Sequence, residues 1–312
     1  MRSPDFDSLA EKLRNWGRWG DDDQRGTLNH IGPAALVRAA SEVQEGKAIR
    51  LGLNFDKDGP QLTGKRFNPQ LYITALFGGP SGGLPEMFYA DDVIHMPLQA
   101  ATQWDALGHV HYDGHLYNGC KVHETLTVNE GAKRLGVEHL ASPGIVSRGI
   151  MLDIARMKNV DMLPFDYMIT PDDLREACHR QQVSPVSGDI VLVRTGHMRR
   201  FTKLNDRLLF NQFPHPGLSH QCTEWLHDCN VAAVCADNLA VEYLTREMLQ
   251  EGYMPFHMIA LRDMGMPLGE IFDLEALSDD CLADGRYSFM LVAPALPVTG
   301  AFGSPINPLA LK

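Results

Sequence analysis

Two segments of the chain, Gly149–Ile154 (GIMLDI) and Asp189–Arg194 (DIVLVR), are continuous apolar runs of strand length. Runs of this kind predict strands buried on both faces. Shorter apolar segments bounded by turn residues predict further strands at Ala48–Leu53, Leu71–Leu76, Val93–Leu98, Val231–Cys235 and Tyr287–Ala293. Leu9, Leu13 and Trp16 recur at helical spacing, and Pro33, Ala34, Ala35, Val37 and Ala39 predict a second helix over Pro33–Glu45. Thr170-Pro171-Asp172-Asp173 has the order of an N-cap, a first-turn proline and acidic first-turn residues, so it opens a helix that runs to about Gln182. Ser219–Asp228 and Ile271–Leu277 read as further helical segments. Strands and helices alternate without a linker or repeat, which predicts one α/β domain.

Composition narrows the class. With 44% hydrophobic and 21% charged residues over 312 positions, the chain can bury a sizeable core. The 28 Lys+Arg against 39 Asp+Glu give a net charge of −11, and no basic stripe marks a nucleic-acid surface. No run reaches the roughly 18 apolar residues of a membrane span, and the first residues, MRSPDFDSLAEKLRNWGRW, lack the apolar core of a signal peptide. Six cysteines without a C-x-x-C pair read as reduced thiols of a cytoplasmic protein. The glycine-rich stretch Gly78–Gly83 reads as a plain loop, because no P-loop lysine follows it. Pro216-Gly217-Leu218-Ser219-His220 fails the G-x-S-x-G frame of a serine hydrolase.

Histidine is in excess: the chain has 13, and His109, His111 and His115 fall within seven residues. In the surrounding segment the polar side chains at Gln99, Gln103, Asp105, His109, His111 and His115 are separated by even intervals. A strand would place them on one face, yet an extended chain would spread Gln99 and His109 over roughly 33 Å. A helix would turn Gln103 and Asp105 about 200° apart. Convergence on one centre therefore requires a strand that breaks into a turn near Gly108. His111 and His115, flanking the turn Tyr112-Asp113-Gly114, read as partly exposed loop residues.

This segment resembles the cyclase family of metal-dependent hydrolases, which includes bacterial kynurenine formamidase and isatin hydrolase. The family signature is H-x-G-T-H-x-D-x-P-x-H. Thr102, Asp105 and His109 fall in register with it, while Gln99 and Gln103 stand where it has metal-binding histidines, and Ala101 and Leu107 replace its Gly and Pro. Proteins similar to trans-dienelactone hydrolase carry Q-x-x-x-Q-x-D-x-x-x-H, which this segment matches at every fixed position. Elsewhere, Trp19–Asn29 resembles the opening motif of the longer members, Gly188–Gly196 the family's G-D-x-x-L-x-R-T-G strand, Cys235-Ala236-Asp237 a strand end, and Phe302–Pro305 the G-S-P tail. His257 and Glu270 take the positions of a His and a Glu that complete the family's metal site.

The resemblance implies a swivelling β/β/α fold, with residues 1–45 as an N-terminal helical arm and 46–312 as the hydrolase domain. It implies Gln99, Gln103, Asp105, His257 and Glu270 as ligands of one divalent ion, Zn or Mn. For Gln99 and Gln103 the alternative is that they only hydrogen-bond their neighbours. His109, Asp105 and Glu270 are the implied catalytic residues, with His109 shuttling a proton while metal-activated water attacks a small lactone or a cyclic or aryl amide. Arg194, Arg262 and Lys65 are candidate carboxylate partners, each with a structural or surface reading beside it. A homodimer or homotetramer is implied, with Trp16 and Trp19 as candidate contacts. A rival class is a metal-free ligand-binding protein on the same scaffold.

Overall fold

In the computed structural model, which describes residues 4–62, 64, 66–79 and 87–312, a nine-stranded mixed sheet organises the chain. Its strands are β1 (Ala48–Arg50), β4 (Gln103–Asp105), β5 (Val146–Asp153), β6 (Ile190–Arg194), β7 (Ala233–Ala236), β8 (Leu268–Glu270), β9 (Ser288–Val292), β10 (Gly303–Pro305) and β11 (Leu309–Leu311). Two further strands, β2 (Gln70–Gly78) and β3 (Tyr89–His95), form a separate antiparallel hairpin, and four two-residue strands pair in two small ladders of their own. Sheet order is β1-β11-β9-β5-β6-β7-β8-β4-β10, with β5 to β8 parallel and the flanking strands antiparallel. The apolar runs behave as expected: every residue of β6 and β7 is buried, as are the last five of β5.

Among the helices, α1 (Pro4–Lys12), α2 (Pro33–Ala40), α3 (Pro171–Arg180), α4 (Cys222–Asp228), α5 (Arg246–Glu251), α6 (Pro255–His257) and α7 (Glu275–Asp284) matter here. The start of α3 is a full capping box, with Thr170 and Asp173 exchanging hydrogen bonds. The helix expected over Ile271–Leu277 is displaced. Ile271 sits at φ +59°, where the chain leaves β8, and α7 begins at Glu275, whose amide donates to Asp273. A single turn of α6 runs into seven buried residues, Met258–Met264, wound as a wider π-type helix.

The N-terminal segment packs on the body. Phe6, Ala10 and Leu13 enter the main core, and Asn15 and Trp16 donate to the carbonyls of Met264 and Arg262. Trp16, a candidate subunit contact, has the guanidinium groups of Arg14 and Arg262 of its own chain over its ring. The Trp19–Asn29 motif has a structural purpose. Asp23 accepts from Gly26, Asn29 and Tyr117, and Gly26, at φ +54°, comes so close to the Gly265 carbonyl that a Cβ would lie 1.9 Å from its oxygen. All six cysteines are free. No described helix is long and apolar enough to cross a membrane.

Candidate functional site

β4 is three residues long and wholly buried, and its alternation decides the site. Trp104 faces the core, donating its indole N–H to the Ala293 carbonyl, while Gln103 and Asp105 share the opposite face. The antiparallel register with β8 sets Glu270 across from Gln103. The Gln103 amide nitrogen donates to Glu270 Oε2 at 2.7 Å and to Asp105 Oδ1 at 3.2 Å. His257 arrives from the end of α6, with Nε2 3.1 Å from Glu270 Oε1 and 3.9 Å from Asp105 Oδ2. Donor atoms of Asp105, His257 and Glu270 all lie within 4.8 Å of one another, and all three residues are buried. After Asp105 the chain turns as expected: Gly108 donates to the Leu135 carbonyl and His109 to the Ala106 carbonyl. That turn leaves His109 Nε2 3.8 Å from Asp105 Oδ2.

Gln103 presents its nitrogen to the two carboxylates as a donor, while its Oε1 is buried without a hydrogen-bond partner. Buried carboxylates accept only, and a side-chain NH₂ supplies two donors. Gln99 lies beside Gly303 and makes no hydrogen bond to the set. His115 is held in its turn by the Asp113 carbonyl, and His111 is exposed, as their loop reading requires.

Sequence reasoning missed Glu242. Its Oε1 accepts from His257 Nδ1 at 2.6 Å, and its two oxygens also accept the Phe256 and His257 amides at 3.2 Å, capping α6. No spacing in the sequence marks it, because it reaches His257 from a loop after β7. Two β-branched residues beside these carboxylates have positive φ: Val241 (+57°) before Glu242 and Ile271 (+59°) after Glu270. Such conformations are costly and persist only where neighbours enforce them. Asn238 does so for both, its Oδ1 accepting from Val241 and its carbonyl from Ile271.

Burial alone would lower the His257 pKa, but its hydrogen bonds to Glu242 and Glu270 outweigh that and push it up to about 10. Burial pushes the Asp105 carboxyl above its ordinary value, while His109, His257 and Arg66 oppose the shift and Glu270 adds to it. Asp105 Oδ2 and Gln103 Oε1 are buried without a hydrogen-bond partner. His109 opens onto a cavity of about 290 Å³ whose walls include His111, Tyr112, Leu249, Met254 and Met258.

The cationic candidates serve the fold. Arg194 is buried between Asp153 and Glu275, and Arg262 stacks on Trp16 and Tyr112 while pairing with Asp263. Lys65 lies outside the described residues, as do positions 80–83 of the glycine-rich loop. Asp237 accepts from Thr195 and Gly196, tying the ends of β6 and β7 together.

A family model described as putative cyclase matches residues 31–243. A solved structure described as a novel cyclase is 39% identical, with a TM-score of 0.88 over 97% of this chain and 99% of that one. Isatin hydrolase A from Ralstonia solanacearum shares the fold at 18% identity, with a TM-score of 0.62 over 89% of this chain and 94% of that one. A predicted metal-dependent hydrolase from Bacillus stearothermophilus shares it more distantly, at 15% identity and a TM-score of 0.51 over 86% and 98%. A comparison with curated proteins gives no match.

Proposed function

The chain belongs to the putative cyclase family, and from that membership we propose that it is a metal-dependent hydrolase opening a small, dienelactone-like lactone. A cyclic or aryl amide is the alternative substrate, supported by the fold shared with isatin hydrolase. The observation that carries the reading is the convergence of Asp105, His257 and Glu270 from three elements on one buried point beside His109.

The set fits a divalent cation. Two carboxylates would neutralise its charge, and Asp105 Oδ2 is a buried acceptor without a partner. Glu242 orients His257 from behind, as a carboxylate does for a ligating imidazole. Asp105, His257 and Glu270 would hold Zn or Mn, with Gln103 bridging the carboxylates. When bound, such an ion supplies Lewis-acid polarisation of a carbonyl and makes water acidic enough to attack at neutral pH. His109 would carry the proton to the leaving oxygen or nitrogen, since an imidazole titrates in the range this transfer needs. Leu249, Met254 and Met258 would hold the ring of the substrate away from water. The test is a hydrolysis screen of lactones, formyl amides and cyclic amides. Turnover abolished by a chelator and restored by Zn or Mn is expected; turnover indifferent to the chelator contradicts the reading.

We also propose that the molecule is a homodimer or homotetramer acting in the cytoplasm on a small-molecule substrate, with no nucleic-acid or membrane partner. The β2–β3 hairpin supports the association: Leu71, Ile73, Phe77, Phe88 and Ile94 are 46 to 81% exposed. A lone hairpin is marginal in water, and exposed apolar side chains gathered on one element favour an interface. Sedimentation should give a dimer or larger species for the wild type and a monomer for the Leu76→Asp, Phe77→Asp double variant. A wild type that is monomeric at micromolar concentration contradicts this.

A further inference from the structure

We propose that Arg66 is the specificity residue that seats a carboxylate carried by the substrate. The inference rests on the hydrolase reading above and deepens it. Among the described residues, Arg66 is the one guanidinium or ammonium group within 4.0 Å of the Asp105, His257, Glu270 set, its Nη1 lying 3.9 Å from Glu270 Oε2. That separation is an ion pair without a hydrogen bond. The side chain is 39% exposed, and none of its N–H donors is hydrogen-bonded to a described residue. Every other arginine considered for this role is committed: Arg194 to Asp153 and Glu275, Arg262 to Asp263.

The backbone beneath Arg66 is braced. Asn68 accepts from the Gln61 amide and donates to the Gln61 carbonyl, both at 2.8 Å. The Gln61 side chain in turn donates to the Ala100 carbonyl at 3.0 Å, beside Gln99. Phe67 stacks on His95 at the base of the hairpin. Arg66 is thus held at the rim of the site, its fork of donors not hydrogen-bonded to any described residue.

Charge gives that placement a use. A guanidinium so close to a carboxylate that would ligate a dication is repelled by the dication unless an anionic group lies between them. A substrate carboxylate satisfies the guanidinium bidentately, which few other groups do. The lactone or amide carbonyl would then lie over the Asp105, His257, Glu270 set with the carboxylate toward Arg66.

The experiment compares an unsaturated lactone bearing a free carboxylate with its methyl ester, on wild type, Arg66→Ala and Arg66→Lys. Hydrolysis and calorimetric binding are both measured. Arg66→Ala should lose about 10- to 100-fold in kcat/KM and in affinity for the free acid, the worth of a hydrogen bond to a charged group. It should leave the methyl ester within about twofold, and Arg66→Lys should recover part of the loss. Equal losses on acid and ester would assign Arg66 to the oxyanion of the reaction and overturn the inference. An unchanged acid-to-ester ratio overturns it as well. Absence of turnover with an acid preference in binding that vanishes in Arg66→Ala sinks the hydrolase reading and leaves the inference standing. Turnover with a preference indifferent to Arg66 does the reverse.

Discussion

Asp105→Asn is expected to reduce hydrolysis by roughly a thousandfold and to strip the protein of most of its metal, while leaving it at least as stable as the wild type. The carboxylate is fully buried, one of its oxygens has no hydrogen-bond partner, and burial and Glu270 already raise its pKa. Removing a poorly compensated buried charge is neutral or stabilising in the protein without its ion, by about 1 kcal/mol. It also removes half of the anionic charge that would hold a cation. Thermal melting and metal content measured on the same preparation separate loss of the site from loss of the fold. His109→Ala supplies the contrast: its side chain is partly exposed and is not among the ligands, so turnover should fall about 10²- to 10⁴-fold with metal content unchanged. Wild-type turnover in both variants would refute the assignment of these residues.

Glu242 should show the largest combined effect on stability and metal affinity. Its carboxylate accepts two backbone amides and the His257 Nδ1–H, all buried. Glu242→Ala leaves those donors unpaired, and the cost should be about 2 to 4 kcal/mol of folding free energy. Freed from Glu242, the imidazole loses its fixed orientation, and metal affinity should drop about 10- to 100-fold in competition with a chelator. Glu242→Gln keeps an acceptor for Nδ1–H but not the charge, so it should lie between the two. Affinity unchanged in Glu242→Ala would show that His257 is not held for metal.

What the sequence made legible followed from local rules. Period-two alternation put Gln103 and Asp105 on one face of β4, and the apolar runs marked β5 and β6. The requirement that a strand break near Gly108 was geometric and is met by the turn that aims His109 at Asp105. His257 and Glu270 were reachable only through the family resemblance, because tertiary structure, not spacing, brings them to Asp105: antiparallel pairing of β8 with β4 for Glu270 and the end of α6 for His257. Glu242 and Arg66 left no trace in the pattern: each approaches from a loop whose course is set by tertiary contacts, Asn238 in one case and Asn68 in the other. The helix expected at Ile271 failed because the chain there takes a left-handed conformation to keep Glu270 in place. Histidine, the excess that drew attention to residues 109–115, contributes one residue of that cluster to the proposed chemistry. The proposed metal ligand among the histidines is the distant His257.

The metal content of the wild-type protein, purified without chelator and measured by elemental analysis, tests the proposed metal site most directly. One Zn or Mn per chain is expected, lost in Asp105→Asn. A protein that carries no stoichiometric metal and takes up none on addition of Zn or Mn would contradict the proposed site, and would make the chain a ligand-binding relative on a hydrolase scaffold.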